Sequence, residues 1–173
     1  MRTNLRRHRT NGHSNEKGQS TLELAFTLPL LVLLLLGIVD YSRAIHAQSI
    51  ITNMGREAAN LVARANVNLS GNELVDFQNV MNLIARTAEP LDMLHQGMMY
   101  ISKVERVNNA NVTTWLAWNG NPTLTPMPTR NAPLGGMTLS AGQIVYVVEV
   151  YYHYESLFPV NVLPPTLYSY SIF

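Results

Sequence analysis

From Leu24 to Val39 the chain reads LAFTLPLLVLLLLGIV, without a single charged residue. Counted from Thr21, the stretch is interrupted only by Glu23, and 19 residues of helix at 1.5 Å each span about 28 Å, the hydrocarbon thickness of a bilayer. A helix inside a soluble domain carries an apolar stripe and a polar face. This one is apolar all round, which predicts a transmembrane helix over residues 19–39.

The flanks predict its orientation. Before the apolar run stand Arg2, Arg6, Arg7, Arg9 and Lys17 against one acid, Glu16, whereas seven basic and nine acidic residues follow from Asp40 onward. The near-zero formal charge of +1 therefore hides a basic head, and Lys/Arg-rich flanks stay on the cytoplasmic side. Residues 1–18 read as a cytoplasmic leader and residues 40–173 as a periplasmic or extracytoplasmic domain of a single-pass inner-membrane protein. Five dispersed basic residues without interleaved aromatics do not make a nucleic-acid arm. A secretory signal fits poorly, because around Ala44 to Ala47 a cleavage pattern would put Ile45 or His46 where small residues belong.

Glu23 is the anomaly. A carboxylate at mid-bilayer costs on the order of 2.5–3.5 kcal/mol, and less near an interface. The polar leader ends at Lys17-Gly18-Gln19. Cutting after Gly18 would place a free amine on Gln19, with Glu23 four residues on, one turn later on the same helix face. In a bundle of such helices the carboxylate would neutralise an α-amine, its own or a neighbour's, where an unpaired charge would be strongly unfavourable. Pro29, inside the apolar run, lacks the amide hydrogen and clashes with the carbonyl of Ala25, which predicts a kink.

Gly18 followed by Gln19-Ser20-Thr21-Leu22-Glu23 and then apolar residues matches the type IV prepilin pattern. The longer run from Gly18 to Ala65, with Leu28-Pro29-Leu30, Gly37-Ile38-Val39-Asp40-Tyr41 and Gly55-Arg56-Glu57-Ala58-Ala59, resembles the TadE/TadG-like minor pseudopilins of tight-adherence pili. The resemblance implies a membrane-inserted subunit, cut between Gly18 and Gln19 by a prepilin peptidase, with Glu23 as the register residue. It implies as partners the membrane, other pilin or pseudopilin subunits and the pilus assembly platform. No cofactor, no small-molecule substrate and no nucleic acid are expected for this chain.

Beyond the membrane the helical pattern continues. Residues 40–66 lack proline, and Tyr41, Ile45, Ile51, Met54, Ala58, Leu61, Val62 and Ala65 recur at steps near three and four, predicting one helix from Gln19 to Ala65. Ala44, Ala47, Gly55, Ala58 and Ala59 would permit close approach of a sheet or partner helix. Ser70-Gly71-Asn72-Glu73 has the form of a capping box, and Leu74, Phe77, Met81, Ile84, Ala85 and Ala88 mark one face of a second helix that Pro90 ends.

Past Gln96 the signals are those of strands: Met99–Val107, a turn at Asn108-Asn109-Ala110-Asn111, and Val112–Trp118. Residues 120–136, rich in Pro, Thr, Asn and Gly, predict a surface loop. Gln143–Tyr154, nearly continuous in β-branched and aromatic residues, predicts a central strand packed on the long helix, and Leu167–Phe173 a last strand after Pro164-Pro165. The fold class is α+β: a long N-terminal helix, a second helix and a small antiparallel sheet, as in pilins.

Catalytic signals are sparse. Cysteine is absent, which removes thiolate ligands and cysteine nucleophiles. His8, His13, His46, His95 and His153 have no metal-ligand spacing, so no metal site is expected. Glu149 and Glu155 would lie on one strand face about 20 Å apart, too far for a carboxylate pair. Tyr151, Tyr152, Tyr154, Tyr168 and Tyr170 suit either an interaction surface or sheet packing. The chain therefore reads as a non-enzymatic assembly subunit. The alternatives are an uncleaved membrane-anchored scaffold or binding protein, and a tethered enzyme with a site around His153, Glu149 and Glu155.

Overall fold

Nothing between His13 and Leu28 breaks a helix, and the first proline is Pro29 in apolar surroundings where a helix tolerates it. Helix α1 accordingly runs His13–Ala65, six residues further upstream than the polar-to-apolar switch at Gln19 suggests. Lys17, Gly18 and Gln19 thus lie within the helix, and Pro29 stands inside it. The computed structural model describes residues 13–65, 73–118, 133–157 and 165–173. The leader to residue 12, the predicted cap at Ser70, residues 120–132 of the predicted loop and Pro164 lie outside the described residues. So do the side chains of Leu74 and Phe77. The chain divides into two compact units, Met1–Asp40 and Tyr41–Phe173.

In the first unit the helix buries nothing from Gly18 to Val39. Leu22, Leu24, Phe26, Leu28 and every large apolar residue up to Val39 are exposed. It is the one helix among the described residues long and apolar enough to cross a membrane.

The second unit has a core. There α1 buries Ala44, Ala47, Ile51, Met54, Ala58 and Val62, one residue per turn on one face. Tyr41 and Ile45, expected in the same apolar series, are more than half exposed instead. The small residues take their place because the sheet comes close. A Cβ built on Gly55 would sit 3.4 Å from Ser171 Oγ and 3.7 Å from Val150 Cγ2, so the crossing point has room for a methyl group in ordinary contact, and a larger side chain would press on the sheet. Helix α2, Glu73–Thr87, adds Met81, Ile84 and Ala85 to the same cluster, with Ala88 just beyond its end and Pro90 after that. A single-turn helix α3, Met93–Gln96, follows, too short to leave a periodic trace in the sequence.

Four strands complete the unit: β1 Gly97–Val107, β2 Ala110–Ala117, β3 Ile144–His153 and β4 Thr166–Ile172. They form one antiparallel sheet in the order β2-β1-β3-β4. The β1–β2 turn is tighter than its four candidate residues suggest. Val107 already pairs with Ala110, and only Asn108 (φ 49°) and Asn109 (φ 66°) turn the chain. Both take the left-handed conformation that asparagine tolerates and two-residue hairpins require. Strand β3 is central as its composition predicts, and buried on both faces. Val148, Val150 and Tyr152 meet the helices, while Val145 and Val147 join Val104 and Leu139 on the opposite side.

Both edge strands are tied to helices by glutamine. Gln48 of α1 donates its side-chain amide to the carbonyl of Tyr168 at 3.0 Å, and Gln78 of α2 donates to the carbonyl of Ala117 at 2.9 Å. Each bond satisfies an edge carbonyl that would otherwise be open to another strand.

Candidate functional site

Three places concentrate polar chemistry: the head of α1, a tyrosine-lined carboxylate on the sheet, and a cleft beside the first turns of α1 in the second unit.

At the head of α1 the i,i+4 spacing puts Gln19 and Glu23 on one face, and the Gln19 side-chain amide donates to Glu23 Oε1 at 3.3 Å. Both side chains are exposed, and a Cβ added to Gly18 would meet nothing within 4 Å. Thr27 Oγ1 donates back to the carbonyl of Glu23 at 2.8 Å, and more weakly to that of Leu24. The hydroxyl is thereby satisfied inside an apolar run.

On the sheet face away from the helices, Glu149 is fully buried. Its Oε1 accepts the hydroxyl of Tyr151 at 3.0 Å and that of Tyr168 at 2.8 Å. Tyr151 stands edge-on to Tyr100 at 6.0 Å and tilts against Tyr168 at 4.7 Å, and Tyr170 stacks outward on Tyr168 at 5.9 Å. Tyr151 and Tyr168 are therefore hydrogen-bond donors as well as packing groups. Sequence reasoning left this site unread. An acid in the middle of a β-branched strand was the available signal, with Tyr151 two residues on along the same strand, but its second donor comes from another strand and only register brings Tyr168 opposite Tyr151.

The cleft, of about 630 Å³, is bordered by Arg43 and His46 of α1, Leu91, Tyr152, Glu155 and Leu157. Tyr152 donates its hydroxyl to Gln96 Oε1 at 2.8 Å. Burial raises the pKa of that hydroxyl above the usual phenol value; the charges of Asp92 and Glu155 add to this, and Arg43 works against it. Asp92 belongs to a separate surface pair. It caps α3 by accepting from the His95 amide at 3.2 Å and from His95 Nδ1 at 2.8 Å, and the side-chain bond leads in lowering its pKa.

Two of the residues named for a tethered-enzyme site, Glu149 and Glu155, are not brought together. Glu149 is enclosed among tyrosines on one face of the sheet, whereas Glu155 is exposed at the cleft on the helix side. Of the five tyrosines, Tyr152 and Tyr154 join the core against the helices, Tyr151 and Tyr168 surround Glu149, and Tyr170 is exposed.

Gly18, the face carrying Gln19 and Glu23, and the small-residue crossing at Gly55 fall within one segment that matches a known family model, that of the TadE-like proteins, over residues 18–60. Residues 18–60 are TadE-like. No curated protein and no solved structure matches the chain. The match ends inside α1, so α2 and the sheet rest on their own description. A TadE-like segment lying within a helix long and apolar enough to span a bilayer points to a pilus-associated membrane protein.

Proposed function

We propose that the protein is a minor pilin or pseudopilin of tight-adherence pilus biogenesis. It is inserted with residues 1–18 in the cytoplasm, residues 19–39 across the inner membrane and residues 40–173 in the periplasm. A prepilin peptidase removes the leader between Gly18 and Gln19, and the apolar helix then packs with those of other pilin-like subunits on the assembly platform. No catalytic step is assigned to it.

The observation that carries this reading is the arrangement of Gly18, Gln19 and Glu23 at the head of an entirely exposed apolar helix within the TadE-like segment. After cleavage the α-amine of Gln19 begins the helix. Glu23, already within hydrogen-bond reach of the Gln19 side chain, is one turn away. In lipid that pairing removes the cost of a lone carboxylate. Pro29 bends the helix for packing in the same reading.

N-terminal sequencing of the chain from membranes or sheared filaments tests it. The expected first residue is Gln19. Recovery of Met1, or of a start near Gln48, would overturn the assignment. Glu23→Gln should leave cleavage intact and lower co-purification with other subunits, and unchanged co-purification would remove the role given to Glu23. The uncleaved anchor is the second reading, favoured by the unbroken course of α1 through Gly18. A Gly18→Asp chain with unaltered mass and normal fibres would establish it.

A further inference from the structure

The sheet ends in two strands that lack the usual protection of an edge. Strand β2 reads ANVTTWLA and β4 reads TLYSYSI, with neither a charge nor a proline in either. Such edges are open to pairing. Hydrogen-bond alternation identifies which of their groups are open. The amide of Trp118 donates to the carbonyl of Met99 at 2.9 Å, so the even residues of β2 bond β1, and Asn111, Thr113, Trp115 and Ala117 turn their backbone groups outward. Tyr146 and Phe173 exchange bonds at 2.9 and 3.0 Å, so Thr166, Tyr168, Tyr170 and Ile172 turn outward from β4. The two glutamine bonds fit this phase, on the carbonyls of Ala117 and Tyr168. Among the described residues, none bonds the outward groups of Asn111, Thr113, Trp115, Tyr170 or Ile172.

Strand direction says what can pair with these edges. With four antiparallel strands, β2 and β4 run in opposite directions. Sliding one copy beside another therefore brings β4 antiparallel to β2 without turning either copy over. Antiparallel pairing of an edge with itself instead needs a two-fold axis through the sheet. That axis reverses α1, which lies against the sheet's face. Copies inserted into one membrane by the same helix point that helix the same way. Side-chain parity agrees with the head-to-tail choice. Leu116 and Leu167, both on inward-bonded residues, face the helices, so the outward-bonded residues of both edges carry their side chains on the opposite face. A joined sheet thus keeps every helix on one side.

We propose that β4 of one copy adds to β2 of the next, so that copies of this chain join head to tail into one continuous antiparallel sheet. The glutamine-bonded residues set the register. With Ala117 opposite Tyr168, the two carbonyls already taken fall at one end of the new ladder. Trp115 then comes opposite Tyr170, and Thr113 opposite Ile172. Exposed Tyr170 and half-buried Trp115 become an aromatic cross-strand pair. On the helix side, exposed Val112 comes opposite Phe173. The contact is heterologous, so it closes as a ring or continues as a filament. The inference rests on the proposed membrane insertion for one thing, the common direction of the copies.

The chain has no cysteine, so introduced pairs report the contact directly. In this register Thr114 and Ser171 form a non-hydrogen-bonded pair, about 4.5 Å between Cα atoms, which a disulfide spans. Two full-length chains with different tags, one Thr114→Cys and one Ser171→Cys, are co-expressed and oxidised in isolated membranes. The mixed dimer should form, and either variant expressed alone should give only background. Thr113→Pro, added to the Thr114→Cys chain, removes an outward amide that β1 does not use. It should lower the mixed link about tenfold with an unchanged unfolding midpoint. Tyr170→Lys, at an exposed position on the other edge, should act in the same direction without a backbone change. No mixed link, links as strong within one variant, or indifference to both edge substitutions would overturn the proposal. A chain recovered in the aqueous fraction of broken cells without detergent ends the membrane reading, and the pattern of links still separates head-to-tail from self-paired edges. A membrane-bound chain without the mixed link ends only the edge pairing.

Discussion

Helix α1 carries leucine-rich sequence in its first half and alanine-rich sequence in its second, and the two halves treat apolar surface in opposite ways. From Leu22 to Val39 every large apolar side chain is exposed; from Ala44 to Val62 the face made of Ala44, Ala47, Ile51, Met54, Ala58 and Val62 is closed. Hydrophobicity alone does not produce a core. The second half carries smaller apolar side chains, yet it is the half with a core, because those small side chains let the sheet come within 3.4 Å of where a Gly55 Cβ would be. The first half suits a solvent that is itself apolar.

The largest expected effect comes from placing the same charge in both halves. Ile51→Asp puts a carboxylate at a position with no exposed surface and should destabilise the sheet unit by about 3–5 kcal/mol, read as loss of its cooperative unfolding transition. Leu31→Asp should leave that transition in place and instead oppose insertion by about 2.5–3.5 kcal/mol, read as chain released from membranes by alkaline extraction. If both variants lose the same property, the contrast between the halves is wrong.

Glu149→Ala sharpens the description of the second unit. It removes the acceptor of two tyrosine hydroxyls at 3.0 and 2.8 Å and should cost about 1–3 kcal/mol in urea unfolding. The double variant Tyr151→Phe, Tyr168→Phe leaves the buried carboxylate without those donors and should cost at least as much. A negligible loss in both would reduce the cluster to packing. The smallest effect is expected at the crossing point. Gly55→Leu should cost about 1–2 kcal/mol by forcing α1 away from Ser171 and Val150. Gly55→Ala should stay within about 1 kcal/mol of wild type, since its gain in helix propensity offsets a close contact with Ser171 Oγ.

The candidate site was legible in the sequence where its geometry is local. Gln19 and Glu23 are four residues apart on one helix, so spacing alone puts them together, and the 3.3 Å contact follows. The cleft was not legible. Arg43 and Glu155 are separated by most of the chain, and only the docking of the segment after β3 near α1 places them around one space. Glu149 lay between these cases. Its strand was evident from composition, but its enclosure depends on β4 running alongside with Tyr168 in register with Tyr151.

By itself the sequence determined the helix, the strands, the α+β class and the apolar segment, because each follows from periodicity, turn residues and uninterrupted hydrophobicity within a short window. Tertiary structure decided which face of α1 closes, replacing Tyr41 and Ile45 with Ala44 and Ala47, and it decided the fate of every polar group that meets a partner from another strand or helix. The reason is physical. Backbone conformation responds to neighbours a few residues away, whereas burial and hydrogen bonding are settled by whichever distant surface arrives, and its distance of approach is set by the smallest side chains at the crossing.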